Sequence, residues 1–337
     1  MANPLRRLSR RSSLLGRRLG RRVKNAAVYW PTRAALLILD RLELDTALRL
    51  AEPVGALIFH LLRTPRRRAL EHLRLAFGNE LSHAARTRLA RASFINIARC
   101  FCEIAKIDEI RRRGDAYFEV DGWEHLNPIL ENGAGAVAIT GHVGNWELLA
   151  GYFPPKGVPV AAIARRIYEP RLNALLLDLR AKLGVQTIMR ESPHATRDIL
   201  RVLKDRGLLA MLIDQDTKAT SVSVPFFGRS ARTPSAAAAL ALRRGVPVFA
   251  AFIQRRATGG HRITILPPFE LPDSGDQKAD IREFTAAFNR ALEHQIRNNP
   301  AEWVWWHRRW RRGPLPDLDI DRDLPYSYSP SVLQGKT

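Results

Sequence analysis

The sequence predicts an α/β protein with a mixed, partly parallel central sheet, flanked by helices and preceded by an N-terminal helical region. Two patterns support this fold class. From Val28 to Ile107 apolar side chains recur at helical spacing, and after Gly122 short apolar runs alternate with helical segments. A chain of 337 residues with 46% hydrophobic content is long enough to bury a substantial core. Disorder and a small disulfide scaffold are therefore excluded.

The N-terminal segment, residues 1–25, is distinct from the rest of the chain. Residues 1–39 carry ten basic side chains and no acidic one. On a helical wheel the apolar residues of this segment, except Leu14, fall in a narrow arc opposite the arginines, which predicts a basic amphipathic helix on a membrane surface. A disordered basic arm and an organellar transit peptide have similar compositions and remain alternatives. The sequence contains no run of 18 apolar residues, so a conventional membrane span is not predicted.

A single domain is predicted over residues 26–312, and its first part, residues 26–115, is helical. The longest candidate helix there runs from His83 to Ile107 and follows Ser82, a good N-cap residue. This helix contains the two cysteines of the chain, Cys100 and Cys102, whose number and spacing fit neither a disulfide framework nor a zinc site. We expect both thiols to be reduced and structural.

The second part of this domain, residues 116–312, carries the α/β pattern. Six apolar runs are predicted as strands: Gly135 to Thr140, Val158 to Ala164, Gly184 to Ile188, Leu208 to Ile213, Val246 to Ile253 and Arg262 to Leu266. Helices are predicted near Asn145 to Tyr152, Pro170 to Leu183, Pro193 to Lys204 and Pro234 to Arg244. In such sheets functional side chains cluster where strands end. Residues 313–337 lack periodicity and are predicted to form an irregular tail.

The end of the first predicted strand is the most informative window, Thr140-Gly-His-Val-Gly-Asn-Trp-Glu147. His142 and Glu147 are five positions apart, so a regular helix would rotate them about 140° from each other. They can meet only across a turn, which the two glycines of the window can supply. Asn145 is a plausible N-cap, and Glu147 then lies in the first helical turn.

A carboxylate that contacts an imidazole can fix its tautomer and stabilise the imidazolium that forms when the histidine removes a proton. His142 and Glu147 would then be a general-base pair. The window contains no serine or cysteine, so the attacking group is expected to be a substrate hydroxyl. The alternative is that His142 merely ends the strand and Glu147 is a solvated first-turn carboxylate.

This window resembles the H-x4-D/E motif of glycerolipid-type acyltransferases, and more narrowly the G-H-x-G-N-W-E motif of the bacterial lipid A biosynthesis acyltransferase family. Four later segments resemble further blocks of that family in the same order: Ile163 to Leu172, Asp214 to Gly228, Ala231 to Val248 and Glu302 to Trp310. Each block alone is weak, but the ordered set covers most of the chain. The sequence is therefore similar to this family over about residues 50 to 312.

The resemblance implies transfer of a fatty acyl chain from acyl carrier protein to a hydroxyl of a lipid A-type glycolipid, at the cytoplasmic face of the inner membrane and without a cofactor or metal. It makes His142 the general base and Glu147 its partner. The candidate substrate-binding residues are Asn145, Arg165, Arg190, Asp214, Gln215, Asp216, Arg308 and Arg309.

Several of these candidates have alternative interpretations. Arg165 would hold an acceptor phosphate or organise the site. Asp214 and Asp216 would lie near the acceptor, although two carboxylates at a strand end could also bind a divalent ion or simply be polar. Arg308 and Arg309 follow closely spaced tryptophans and are candidates for phosphate contact, while the tryptophans themselves either pack or touch lipid.

The charge of the chain, 54 Lys and Arg against 33 Asp and Glu, gives a formal net charge of +21. A basic surface favours encounter with acidic carrier proteins and anionic lipids. Enzymatic alternatives keep the reaction but change the acceptor, to a phosphatidylinositol mannoside, an ornithine lipid or another glycolipid, or change the donor to acyl-CoA. A non-enzymatic alternative is a basic membrane- or nucleic-acid-binding protein, although no nucleic-acid partner is expected.

Overall fold

The computed structural model describes residues 25–217 and 219–311. The predicted amphipathic helix over residues 1–25, apart from Asn25, and the predicted tail lie outside these ranges. The helices are α1 (residues 25–40), α2 (Leu44–Leu61), α3 (Arg63–Phe77), α4 (His83–Ala105), α5 (Ile107–Arg113), α6 (Asn127–Glu131), α7 (Trp146–Tyr152), α8 (Pro170–Lys182), α9 (Ala195–Lys204), α10 (Ala236–Arg244) and α11 (Gln277–Asn298). In the described ranges, none of these helices combines the length and the apolar character needed to cross a bilayer.

The strands are β1 (Phe118–Asp121), β2 (Ala136–Thr140), β3 (Val160–Ala164), β4 (Val185–Met189), β5 (Leu208–Leu212), β6 (Ser221–Phe226), β7 (Arg229–Pro234), β8 (Val248–Arg255) and β9 (His261–Ile265). Seven of them form one sheet in the order β1-β9-β8-β2-β5-β3-β4, and β6 and β7 form a separate hairpin. Within the large sheet only β8 and β9 pair antiparallel. The predicted fold class, a mixed and mostly parallel sheet after a helical region, is confirmed.

The central strands are buried on both faces, as the packing of a mostly parallel sheet requires. Along β2, Val137 and Ile139 belong to one apolar cluster, while Ala136 and Ala138 belong to the cluster on the opposite face. Successive strand residues point to opposite sides, so this single strand contributes to both layers of the core. The sheet is therefore a fixed platform from which the loops at the strand ends project.

The helical region packs closely through small residues. Ala47, Ala51 and Gly55 lie on the buried face of α2, and a Cβ atom on Gly55 would come within 2.5 Å of the Ile95 Cα of α4. Such an approach of two helix backbones is possible only without a side chain at that position. The predicted cap of α4 is confirmed, because the backbone N–H of Ala85 donates to the Ser82 hydroxyl.

The register of the sheet determines where the loops after β2 and β5 meet. Thr140 at the end of β2 is opposite Leu212 at the end of the parallel strand β5. His142 and Asp214 each lie two residues beyond those ends. Parallel strands finish at the same edge of a sheet, so the register brings these two side chains together.

Candidate active site

His142 is held by Asp214. Its Nδ1 lies 2.7 Å from one carboxylate oxygen of Asp214, and its backbone N–H donates to the other oxygen at 2.8 Å. A carboxylate can only accept, so Nδ1 carries the proton and Nε2 keeps its lone pair. This is the arrangement of a histidine poised to accept a proton at Nε2.

Asp214 is completely buried, and a third donor, the indole N–H of Trp303, reaches it at 2.8 Å. Burial alone would raise the pKa of the Asp214 carboxyl, but the neighbouring His142 ring and the hydrogen bonds from His142 hold it well below its usual range. Asp214 therefore carries its negative charge throughout the ordinary pH range. An ionised carboxylate at this position stabilises an imidazolium on His142.

The loop that carries His142 is bound by the segment after α11, residues 299–311, which we call the clasping segment. The backbone N–H of Val304 donates to the His142 carbonyl, the Gly144 N–H donates to the Glu302 carbonyl, and Val143 forms a β-bridge with Trp303. Gly144 has a φ of +59°, a conformation that favours glycine. The same short segment thus braces both the backbone of the histidine and, through Trp303, the carboxylate that orients it.

Glu147 does not perform the role expected for it. Its two carboxylate oxygens accept from the Arg180 guanidinium at 2.8 and 2.7 Å, and both side chains are buried. The predicted His142–Glu147 pair is therefore replaced by two pairs, His142–Asp214 and Glu147–Arg180. The physical reason is direction: α7 starts at Trp146, and its first turn points Glu147 toward α8 rather than back across the turn. The alternative of a solvated Glu147 is also wrong.

The free face of His142 is surrounded by Gln215 and His307. The Gln215 side-chain amide lies 3.3 Å from His142 Nε2 and 3.0 Å from His307 Nδ1, and the two imidazole rings meet edge to face with centroids 4.4 Å apart. Burial lowers the pKa of His307 to about 3, so this ring is neutral. The Gln215 amide thus lies beside Nε2, and its contact with substrate remains a prediction.

Asn145 caps α7, as predicted, by accepting from the Leu148 N–H. Its amide nitrogen donates to Glu103 at 2.9 Å, and the residue is 1% exposed. A substrate contact is therefore not its role, because its polar atoms already bind protein groups. Burial would raise the pKa of Glu103, but His261 and Arg255 hold it well below its usual range, so Asn145 is anchored to a buried anion.

Arg309 is also mispredicted as a phosphate ligand. It is 1% exposed and donates to the Arg232 carbonyl, the Thr233 hydroxyl and the Asn289 amide oxygen. Burial lowers the pKa of its guanidinium to about 10, which leaves it charged at neutral pH. The adjacent Arg308 is exposed, so the two arginines that the sequence treated alike have different environments.

Arg165, Arg190 and Asp216 lie at the same edge of the sheet as His142. Arg165 follows β3, Arg190 follows β4, and both are accessible, while the Asp216 N–H donates to the Arg308 carbonyl. The sheet order separates Arg165 from His142 by two strand spacings, about 10 Å. Contacts of these three residues with substrate remain a prediction.

Some groups of the site could also hold a cation. Ligand atoms of His142, Asp214 and His307 all lie within 4.8 Å of one another. In the described geometry His142 Nδ1 carries a proton toward Asp214, and a proton and a metal ion cannot share that nitrogen. The expectation of a metal-independent site stays a prediction.

Beside Trp146 a partly open cavity of about 30 Å³ lies between the sheet and α7. Its walls are mainly apolar and include Ala138, Ala150, Phe153, Ala162 and Trp146, whose ring contacts the His142 ring edge-on at 4.8 Å. This volume holds about one water molecule. A longer apolar ligand can enter only if side chains such as Trp146 move.

Four important residues were not predicted as part of the site: Glu103, Arg180, Trp303 and His307. Trp303 and His307 lie in a segment noted for its tryptophans and cations, yet their contacts with Asp214 and Gln215 span about 90 residues of sequence. Glu103 and Arg180 lie on helices without any local signal. For the partner of His142, the sequence did offer a signal: the predicted strands end just before His142 and Asp214, and parallel strands that end together place these two residues side by side.

Comparisons with known proteins identify the family of this chain. A model of the family described as bacterial lipid A biosynthesis acyltransferase matches residues 17–312. A phosphatidylinositol mannoside acyltransferase of Mycolicibacterium smegmatis is 25% identical over 239 residues, which cover 69% of this chain and 75% of that protein. Two proteins of the same description from Mycobacterium tuberculosis are 24% and 25% identical, and each match covers 60% of this chain and 62% of the relative.

The family match extends over most of the chain and includes the His142 loop, Asp214 and the segment that clasps them. The resemblance drawn from the sequence and its enzymatic interpretation are thereby confirmed, and the non-enzymatic alternative is set aside. The chain belongs to the bacterial lipid A biosynthesis acyltransferase family and is an acyltransferase.

Proposed function

We propose that this enzyme transfers a fatty acyl chain from a thioester of acyl carrier protein to a hydroxyl of a lipid A-type glycolipid, at the cytoplasmic face of the inner membrane. The observation that carries the chemistry is the Nδ1–Asp214 hydrogen bond, which leaves Nε2 of His142 as a base. The donor supplies the electrophilic carbonyl, and the acceptor supplies the nucleophile. The enzyme then needs a base and a way to orient it.

In the proposed reaction, the acceptor hydroxyl replaces Gln215 beside Nε2. His142 takes the hydroxyl proton as the oxygen attacks the thioester carbonyl, and the buried Asp214 stabilises the imidazolium. The tetrahedral intermediate collapses with cleavage of the C–S bond, and the imidazolium returns the proton to the departing sulfur. The amide of Gln215 and the neutral ring of His307 are the nearest side-chain donors for the developing oxyanion.

The cavity between α7 and the sheet supports an acyl substrate. It is mainly apolar and begins at Trp146, in contact with the catalytic ring. A chain that enters there would bring its thioester carbonyl to His142. Because the cavity, at about 30 Å³, is too small for an acyl chain, side chains have to move to admit the chain.

A second acceptor class is favoured by the relatives, which are described as phosphatidylinositol mannoside acyltransferases. Both acceptor classes are sugar-bearing lipids with free hydroxyls and phosphate. Asp216 and the exposed arginines at the sheet edge are suited to hydroxyl and phosphate groups, respectively. Transfer assays with each lipid distinguish the two acceptor classes.

An apolar stripe on α2 supports membrane association. Most residues on its buried face are small, while Leu50, Val54, Leu57, Ile58 and Leu61 are 36 to 67% exposed. These positions repeat at helical spacing and so form one continuous stripe. Arginines at the start of α3 follow it directly, which is the pattern of an element that inserts apolar side chains among lipids and places cations at the headgroups.

The test combines purified full-length protein, acylated carrier protein or acyl-CoA, and either lipid A precursors or phosphatidylinositol mannosides, with mass spectrometry of the lipid product. We expect the carrier thioester and one glycolipid to support transfer. His142→Ala should lower turnover by at least 10²- to 10⁴-fold with the fold retained, because the hydroxyl no longer has a base. Asp214→Asn should also lower it strongly.

Arg243→Gln, in the last turn of α10, is the matched control and should leave turnover unchanged. Transfer by the His142→Ala protein at the wild-type rate would refute the proposed base. Transfer with acyl-CoA alone would refute the proposed donor while leaving the chemistry intact.

A further inference from the structure

Helix α3 reaches the active site through two successive backbone contacts. His72 donates to the Trp305 carbonyl at 2.8 Å, and one turn earlier Arg68 donates to the Trp306 carbonyl at 3.1 Å. The next residue along the clasping segment is His307, whose ring contacts that of His142. Arg68 is therefore fixed at the entrance to the site, although it belongs to the helical region rather than to the α/β part.

Arg308 is the second cation at this entrance. It follows His307 directly, and its carbonyl accepts from the Asp216 N–H, which ties this backbone to the end of β5. The Arg308 side chain is exposed and makes no hydrogen bond or ion pair with any residue between 25 and 311 that the structure describes. The Arg68 guanidinium is thus oriented by the Trp306 carbonyl, and the Arg308 guanidinium is available to bind a ligand.

The charges that act on the Arg68 guanidinium come from neighbouring arginines. Burial lowers the pKa of Arg68, and the charges of Arg308 and Arg67 lower it further. His307 is in range of the Arg68 charge as well. Asp216, whose backbone N–H donates to the Arg308 carbonyl, interacts with Arg309. Two guanidiniums whose charges repel each other are stabilised by an anion bound to both.

We propose that Arg68 and Arg308 form a phosphate-binding subsite at the entrance to the catalytic centre, which holds a phosphate mono- or diester of a substrate during transfer. This inference rests on the proposed function. The phosphate can belong to the lipid acceptor, or to the phosphopantetheine arm of the donor. Guanidiniums bind phosphate through paired N–H donors, and Arg68 retains donors beyond the one that it gives to Trp306.

Binding is measured first without any transfer chemistry. Glycerol 3-phosphate is titrated into the full-length protein at constant ionic strength and followed by calorimetry. We expect Arg308→Gln to weaken binding by about tenfold and Arg68→Gln/Arg308→Gln to weaken it further, since each removes charge-assisted hydrogen bonds. Arg88→Gln on α4 removes the same charge from an exposed site and should bind like the wild type.

The Arg308 side chain makes no hydrogen bond or ion pair with described residues, so we expect its variant to keep the fold, whereas loss of Arg68 also removes the Trp306 contact. Equal affinity in Arg308→Gln and Arg88→Gln would overturn the proposal. Kinetics then identify the source of the phosphate. A raised KM for the acceptor, with donor saturating, assigns the subsite to the lipid headgroup, and a raised KM for the donor assigns it to the carrier arm.

The subsite and the proposed function can fail separately. His142→Ala should abolish transfer and keep wild-type affinity for glycerol 3-phosphate, because its ring is not part of the phosphate site. If no donor and acceptor pair supports transfer but Arg308→Gln still loses affinity, the subsite stands and the proposed reaction is wrong.

Discussion

At the scale of single residues, the buried ion pair between Glu147 and Arg180 separates a structural role for Glu147 from a catalytic one. Glu147→Gln leaves the Arg180 charge buried without its partner, so we expect a loss of about 3 to 5 kcal/mol in the free energy of unfolding. Glu147→Gln/Arg180→Met removes both charges and should recover most of that loss. Denaturant unfolding of Glu147→Gln, Arg180→Met and the double variant measures the coupling free energy between the two side chains.

Turnover of the same proteins decides the role of Glu147. Per folded molecule, the double variant should lose far less activity than Asp214→Asn, because Asp214 contacts the His142 ring whereas Glu147 and Arg180 bind each other. A stable double variant that is as inactive as Asp214→Asn would contradict this assignment and return Glu147 to the reaction.

A second residue-scale prediction concerns His72, which is 6% exposed. Burial lowers its pKa to about 4, although the hydrogen bond to Trp305 acts in the opposite direction. An unfolded histidine binds a proton below about pH 6.5, whereas the folded one does so only near pH 4. His72 therefore makes the protein less stable as the pH falls from about 6.5 to 4, by up to about 1.4 kcal/mol per pH unit.

Urea unfolding at several pH values between 4 and 7 measures this slope. We expect His72→Asn to flatten it, whatever its effect on stability at neutral pH. The exposed His83, replaced in the same way, should leave the slope as in the wild type. Parallel slopes for all three proteins would show that His72 does not titrate as described.

The residues that sequence spacing predicted well are those with local partners. Asn145 caps α7 and Ser82 caps α4, and in each case the donor is only three residues away. The partner of His142 was predicted from spacing and was wrong, because Asp214 lies 72 positions away. Sheet register, not local spacing, makes that contact, and register depends on the whole set of strands.

At the scale of elements, the start of α7 connects stability to catalysis. Asn145→Ala should lower the free energy of unfolding by about 1 to 2 kcal/mol through loss of the cap. It should also lower kcat by tenfold or more, because the loop between His142 and α7 then loses its anchor to Glu103. KM should change little, since Asn145 is buried away from substrate.

Ser82→Ala on α4 is the matched control. It removes a cap of the same kind far from the strand ends, so stability should fall by a similar amount while kcat stays at the wild-type value. Equal kcat losses in the two variants would mean that global stability, rather than the position of the loop, governs the rate. A raised KM with unchanged kcat in Asn145→Ala would favour a substrate contact.

The elements that sequence analysis missed have identifiable reasons. The β6–β7 hairpin turns at Phe227 and Gly228, both with positive φ, whereas hairpin signals rest on Asn-Gly or Asp-Gly pairs. Pro225 within β6 also argues against a strand. Helix α11 is different, because Asp276 caps it and its apolar residues recur at helical spacing. Its pattern was available in the sequence.

At the scale of the whole molecule, the apolar stripe of α2 leads directly into the cations of α3, which reach the segment around His307. Several large apolar side chains of α2 face outward, while most residues on its buried face are small. The same chain then enters α3, whose Arg68 contacts the segment that holds His307. A lipid headgroup that meets these arginines is thus close to the base that would activate its hydroxyl.

The last prediction tests the membrane face directly. Leu57 and Leu61 are 57% and 67% exposed, and Leu57→Glu/Leu61→Glu places two anions where leucines would insert. Full burial of a leucine contributes about 1.5 to 3 kcal/mol, so partition onto vesicles should fall by tenfold or more. Leu271→Glu, at a leucine 41% exposed outside α2, is the control and should bind as the wild type does.

Sedimentation with vesicles of phosphatidylcholine, alone or mixed with phosphatidylglycerol, separates the two contributions to binding. The net charge of +21 should favour the anionic mixture at low salt, and that preference should shrink as salt screens it. The loss caused by the two glutamates should remain at high salt, because the buried apolar area does not depend on ionic strength. If the double variant binds both vesicle types like the wild type at every salt concentration, the stripe faces something other than lipid, and attraction between charges alone brings this enzyme to the membrane.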